Sequence, residues 1–266
     1  MHYDISDILS FDNDFFTSFQ TIADKFVPIL STSKYKNTSL TLLGLLSTAT
    51  NIKLSIYDLA EASETHLYSI QLLNRVLIEH YLKFNYILVR FLKEKTDEVG
   101  QEYRKVSKIN DILSYINATT ISISIIDESN DDLILQELKE KYPELNISKK
   151  ELYNITNQWK HRSIVKYLIE NANYIKNEYL LKLVPEYSKL SSFVHGSTYA
   201  EEFYHSAYEE NRLQEHIYKN ITDVCIKTTH MNVSLMIAVL VIDDNFQDSM
   251  TLLVNKYKDL FNLVKR

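Results

Sequence analysis

Apolar residues recur at three- and four-residue spacing along most of this 266-residue chain, and short polar stretches interrupt them. That period belongs to helices rather than strands. It predicts a first helix after an Asp12-Asn13-Asp14 cap, ending near Pro28. A loop from Ser31 to Ser39 follows, with Asn37, Thr38 or Ser39 capping the next helix. From Leu40 to Lys95 the pattern gives two helices that break near Ser63-Glu64, and Asp97 to Gly100 punctuates the next join. Another helix runs from Gln101 through Tyr115. Thr119 to Ile126 alternates like a strand, yet no second strand is evident to pair with it, so it is read as helix.

The acidic run Asp127 to Asp132 reads as a loop and helix cap, because it lacks the glycine and spaced ligands of a calcium loop. Helices resume at Lys149 to Ala172, Tyr174 to Val194, Asn211 to Ile242 and Gln247 to Val264. On the third of these, Arg212, His216, Asp223, Lys227 and His230 fall near one stripe, which is expected to face solvent.

Composition sharpens the fold class. Three glycines (Gly44, Gly100, Gly196) and three prolines (Pro28, Pro143, Pro185) are too few for the turns of a sheet protein or the phosphate turns of a doubly wound fold. The expectation is all-α: one domain over residues 1–266, a single bundle of about eight to ten helices. With 29 basic and 35 acidic side chains, the net charge of −6 does not advertise a nucleic-acid surface, though a local basic pocket remains compatible with it.

The single cysteine, Cys225, rules out a disulfide or thiolate cluster within one chain. Its setting, Val224-Cys225-Ile226, predicts a buried, inert thiol. No metal or cofactor is expected. The first residues carry no cationic segment followed by an apolar core. The longest apolar run, Val233 to Ile242, falls short of the roughly 20 residues that span a bilayer. A soluble, cytoplasmic protein without membrane contact is the expectation.

Candidate chemistry lies where polar groups interrupt apolar helices. Arg75 and Glu79 stand i, i+4 in a segment that is apolar nearly all round, so their side chains can meet. A second cluster is Trp159-Lys160-His161-Arg162, which holds the only tryptophan. The third runs from Tyr187 through Ser191, Ser192, His195 and Gly196 to Ser197. Ser192 and His195 are one turn apart, and Gly196 suits a helix C-cap that would fix His195 in the last turn. The bland readings are an ion pair or solvated strip for the first cluster and a capping histidine for the third.

Two resemblances bear on these positions. Arg75 and His80 are similar to the R-x4-H motif of the HEPN nucleases. There, arginine and histidine from two protomers converge to cleave RNA without metal; the 2′-hydroxyl attacks the phosphate, histidine moves the proton and arginine stabilises the developing charge. In a single helix, five residues set His80 about 140° around from Arg75, so convergence needs a partner subunit.

The combination R-x-x-x-E, then W-x-x-R, then Y-x-x-x-S-x-x-V-H-G-S resembles an uncharacterised bacterial all-helical family, a domain of unknown function, over about Ile70 to Ser206. The resemblance carries over Arg75, Glu79, Trp159, Arg162, Ser192 and His195. His80 is not part of its pattern, which moves attention to His195.

The resemblances imply that these distant segments meet around one pocket. Two arginines and a histidine there could hold a phosphate or carboxylate, with Glu79 orienting one arginine, or the same four groups could close a buried network with no ligand. The leading expectation is a toxin-like effector in phage defence, a metal-independent HEPN-like ribonuclease acting as a homodimer, with Arg75, Glu79 and either His195 or His80 as catalytic residues. Arg162, Trp159, Ser192 and Ser197 would line its ligand site. The alternative is a non-catalytic sensor or binding module that recognises a phosphorylated small molecule or a partner protein through the same pocket.

Overall fold

The computed structural model describes residues 5–126, 140 and 149–264. Among them are ten α-helices, two single 3-10 turns and no strand. The helices are α1 (Ser6–Thr32), α2 (Lys36–Ala62), α3 (Leu67–Glu94), α4 (Glu98–Ile126), α5 (Lys149–Gln158), α6 (His161–Asn171), α7 (Asn177–Val194), α8 (Thr198–Glu209), α9 (Leu213–Ile242) and α10 (Gln247–Val264). The fold is all-α, as the periodicity implied, and the ambiguous alternation at 119–126 is helical. The acidic run Asp127 to Asp132 lies outside the described residues.

Three long helices, α2, α3 and α9, pack against one another as the centre. On the far side of α9 lie α1 and α10, while α6 and α7 cover the other flank of α3 and α4 lies along α2. Helix α9 is long and apolar enough by composition to cross a membrane, but 67% of its most apolar stretch is buried inside the fold. Its greasiness is that of a helix with neighbours on every side.

Several boundaries differ from the sequence reading, each for a tertiary reason. Helix α1 begins at Ser6, so Asp12 is no cap. It is a buried acid whose carboxylate accepts from the Lys53 ammonium of α2 at 2.6 Å. Pro28 sits inside α1, and Ser31 and Thr32 back-bond to its carbonyl as the helix ends. The expected loop shrinks to the turn between α1 and α2. The expected helix Lys149 to Ala172 breaks at Trp159-Lys160, and α8 fills the stretch between Gly196 and Asn211.

The supposed solvent stripe of α9 is wrong in its second half. Lys227 is fully buried and pairs with Asp223 one turn away and with Glu186 of α7. Burial pushes its ammonium pKa down while the Glu186 carboxylate works the other way. A central helix has no side to spare for water, so its charges pair inside the fold. Cys225 is buried as expected, and burial beside Asp12 pushes its thiol up to about 12.

The start of α2 is capped from a distance. Asp97 accepts the Thr38 N–H at 2.7 Å and the Asn37 N–H at 3.1 Å. Burial alone would raise its pKa, but these bonds from Thr38 and Asn37 hold it below the usual carboxylate range. Gly100 makes the approach feasible, since a Cβ there would sit 2.4 Å from the Thr38 backbone. Gly100→Ala should therefore destabilise the fold by about 1–3 kcal/mol or more, because backbone must move to admit it. Urea denaturation measures the loss.

A second expectation concerns acid. Half-buried His230 on α9 meets the Tyr81 hydroxyl at 3.2 Å and packs beside Tyr174 and Tyr257; burial pushes it down to about 4. The unfolded chain takes up this proton near pH 6.5 and the folded chain only near 4. Stability therefore falls as pH drops across that window, by up to roughly 3 kcal/mol from this group. Melts of His230→Phe should show a flatter stability profile from pH 7 to 4 than the wild type.

Candidate functional site

Arg75, Glu79 and Lys83 occupy one line on α3, each a turn apart. The Arg75 guanidinium donates to the Glu79 carboxylate at 3.3 Å, and the Lys83 ammonium donates to its other oxygen at 2.7 Å. From α7 come Tyr187 and Ser191, also one turn apart. Arg75 donates to the Tyr187 hydroxyl at 2.6 Å and to the Ser191 hydroxyl at 3.4 Å, and lies 4.7 Å from the Tyr187 ring centre. A planar fork with five donors suits such a junction, because it serves three acceptors in different directions.

The same tyrosine ring carries His161, stacked at 4.1 Å and 17°. His161 is the first residue of α6, after the break at Trp159-Lys160. Burial lowers its pKa; the Glu79 carboxylate pulls the other way and the Arg75 charge adds to the lowering. At neutral pH the imidazole is therefore uncharged. Its Nε2 is buried and has no hydrogen-bond partner. Burial would raise the pKa of Glu79, but Lys83, Arg75 and His80 outweigh it, so the carboxylate is ionised.

Glu79, Lys83, Trp159, His161 and Tyr187 help to bound a small cavity of about 50 Å³, and Arg75 reaches it only through Glu79 and Tyr187. Glu79, Lys83 and Trp159 also wall a larger cleft of about 440 Å³, completed by Tyr103, Ser107, Asn110 and Asp111. Trp159 is held by its indole N–H, which donates to Glu102 at 2.9 Å, and by edge contacts with Tyr86 and Tyr103. Both Glu102 oxygens in turn accept from Arg90 Nη1 at 3.0 Å, while Arg90 Nε and Nη2 donate to Glu94.

The structure brings together Arg75, Glu79 and Trp159 among the positions singled out by sequence. It does not bring Arg162, which is exposed on α6, or His195, which is exposed at the C-cap of α7. Gly196 takes φ +59° there, and the Ser197 N–H closes onto the Ser192 carbonyl at 3.0 Å. This is a Schellman-type helix stop. Ser192 and Ser197 therefore shape the end of α7, and Ser191 reaches Arg75. Ser191 is also the serine that the Y-x-x-x-S spacing from Tyr187 designates; one residue on an α-helix turns the side chain about 100° away. His80 Nδ1 contacts the Val76 carbonyl of its own helix at 2.9 Å.

Sequence reasoning placed Lys83 in a polar strip with Arg75 and Glu79, and Tyr187 and His161 in the other two clusters, but assigned none of the three a role. Lys83 carried a signal, since it continues the i, i+4 line from Glu79. Nothing local separated His161 from the other histidines.

Fold and cleft define an all-helical protein whose polar cluster joins two core helices and opens beside a neutral histidine. By sequence the chain belongs to a family of unknown function, DUF5677, which matches residues 40–213. The match spans α2 through α8, the elements that build this cleft, and reaches beyond the stretch expected from the motifs. No curated protein and no solved structure matches the chain.

Removing the guanidinium would leave Glu79, Tyr187 and Ser191 without their shared donor. Arg75→Ala should lower stability by about 1–3 kcal/mol. The exposed Arg162→Ala should change it by less than about 0.5 kcal/mol. Paired denaturation curves check both.

Proposed function

We propose that this chain is a helical effector that cleaves RNA at the Arg75–His161 cleft by metal-independent acid–base chemistry. The observation that carries the reading is the open, buried Nε2 of a neutral imidazole beside two cations held by one carboxylate. A neutral histidine can take a proton at pH 7, and adjacent cations stabilise charge developing on a phosphate.

His161 Nε2 removes the proton of a 2′-hydroxyl, and the 2′-oxygen bonds to the neighbouring phosphorus. The 5′-oxygen departs, and a proton from the imidazolium reaches it through water. Products are a 2′,3′-cyclic phosphate and a 5′-hydroxyl. Arg75 and Lys83 stabilise the phosphorane, while Glu79 positions both cations. The proposal keeps the HEPN-like reaction but moves the imidazole from His80 or His195 to His161. Arg75 and His161 both contact Tyr187 within one chain, so the proposed chemistry needs no second copy. A toxin-like role, including defence against phage, is the cellular setting such a nuclease fits.

A second reading is favoured by the completeness of the Arg75 cluster: each cation already has a carboxylate and Tyr187 already has its donor. On that reading the cleft binds a phosphorylated ligand and performs no chemistry.

Incubation of purified protein with mixed RNA, with and without chelator, separates the two. The first reading expects cyclic-phosphate ends in both arms. His161→Ala and Arg75→Ala should lower the rate by about 10²–10⁴ while remaining folded, and His80→Ala and His195→Ala should retain most of it. Intact RNA with wild-type protein would overturn the nuclease reading. Phosphate-ligand binding that is lost in Arg75→Ala would then support the second.

A further inference from the structure

On the other side of α7 from Tyr187 lies a second cavity, of about 350 Å³, between α3, α7, α8 and α9. It takes no part in the proposed cleavage. Its floor is a directed chain of amides. Asn220 Nδ2 donates to the His216 carbonyl at 2.7 Å, one turn back on α9. That bond fixes the amide's orientation and presents Asn220 Oδ1 to α3, where Asn74 Nδ2 donates to it at 2.9 Å. Asn74 is thereby forced to turn its own Oδ1 away. This oxygen is buried, has no partner, and belongs to a side chain lining the cavity. Asn74 itself is only 3% exposed. A buried acceptor left without a donor at a cavity floor is a place for the N–H of a ligand or for an ordered water.

Glu186 and Asp223, both paired with the buried Lys227, line the same cavity and keep further carboxylate lone pairs as acceptors, and Gln71 lines it too. The wall is aromatic. Phe203 packs edge-on against Phe193 at 5.6 Å and against His216 at 4.8 Å, and Tyr199 stacks on it at 6.5 Å while staying 40% exposed. The exposed Lys189 borders the cavity from α7.

We infer that this cavity is a binding site for a purine base of the guanine type. A flat ring matches the aromatic wall, its adjacent N–H donors match the floor of acceptors, and Lys189 is placed for a phosphate attached through the sugar. Adenine sets the N1 acceptor beside its single exocyclic amino donor and fits that floor less well. Stacking supplies affinity and the edge supplies discrimination.

Calorimetric titration of the full chain with guanosine, guanosine monophosphate, adenosine monophosphate and ribose 5-phosphate tests the inference. Guanosine and its monophosphate should bind, with adenosine monophosphate at least about tenfold weaker and ribose 5-phosphate silent. Phe203→Ala and Asn74→Leu should each weaken guanosine by about tenfold or more, and Lys189→Glu should weaken the monophosphate but not the nucleoside. If Asn74→Leu fails to fold, Gln71→Leu takes its place with the same expectation. His161→Ala should leave guanosine binding unchanged, whatever it does to RNA cleavage. Silence with guanosine at millimolar concentration overturns the proposal. Equal affinity for the two monophosphates, or unchanged binding in folded Phe203→Ala, also overturns it.

Discussion

Helix α3 is covered on nearly every side, so its polar groups must find partners on the elements that cover it. Those pairings register the rest of the molecule. Asn74 and Tyr81 meet Asn220 and His230 of α9. Tyr68 donates to the Phe193 carbonyl at 2.7 Å, and Arg75 reaches Tyr187 and Ser191, so α7 is pinned along its length. Asn85 accepts from Tyr174, just before α7, and Arg90 binds Glu102 of α4. Apolar burial drives these helices together but is nearly indifferent to sliding. Desolvated polar groups are not, because an unmade bond in the interior costs about 1–3 kcal/mol. Hydrophobicity supplies the cohesion of this core and the paired polar groups supply its alignment.

The same constraint locates the two candidate sites. Each sits where pairing along α3 or its neighbours stops one bond short. At the Arg75 cluster every cation is matched, and the group left over is His161 Nε2. At the amide chain the bonds run from the His216 carbonyl through Asn220 to Asn74 and end on an open oxygen. Both open atoms belong to side chains lining cavities that α7 helps to wall. Helix α7 is thus the shared wall of two chemically different pockets, one built around cations and an imidazole, the other around acceptors and aromatic rings. A shift of α7 by a fraction of a turn would disturb both, since Tyr187 and Glu186 are consecutive residues of it.

How much of this was readable beforehand is clear from particular residues. The Arg75–Glu79 pair followed from spacing alone, because i, i+4 side chains share a face whatever surrounds the helix. The Gly196 stop followed from glycine's access to positive φ. Asp12 looked like a cap, because an acid near a helix start ordinarily is one, and nothing local reveals that Lys53 lies across from it. The stripe on α9 misled for a related reason. Charge at helical spacing marks a solvated face only when the helix has one, and whether a helix is central is a property of its neighbours.

The sequence by itself determined that the chain is helical, roughly where its helices lie, which family it belongs to, and that polar groups stand in apolar surroundings at Arg75 and Glu79. These are consequences of period, breaker residues and side-chain chemistry, all local. Only the tertiary structure decided that His161 and Arg75 share Tyr187 while His195 lies at an exposed helix end, that Ser191 rather than Ser192 touches Arg75, and that Asn74 ends an amide chain. Each of those outcomes depends on the rotation of one helix about its axis relative to another. That rotation is set by the sum of many contacts between residues far apart in the sequence, and no spacing rule along one helix contains it.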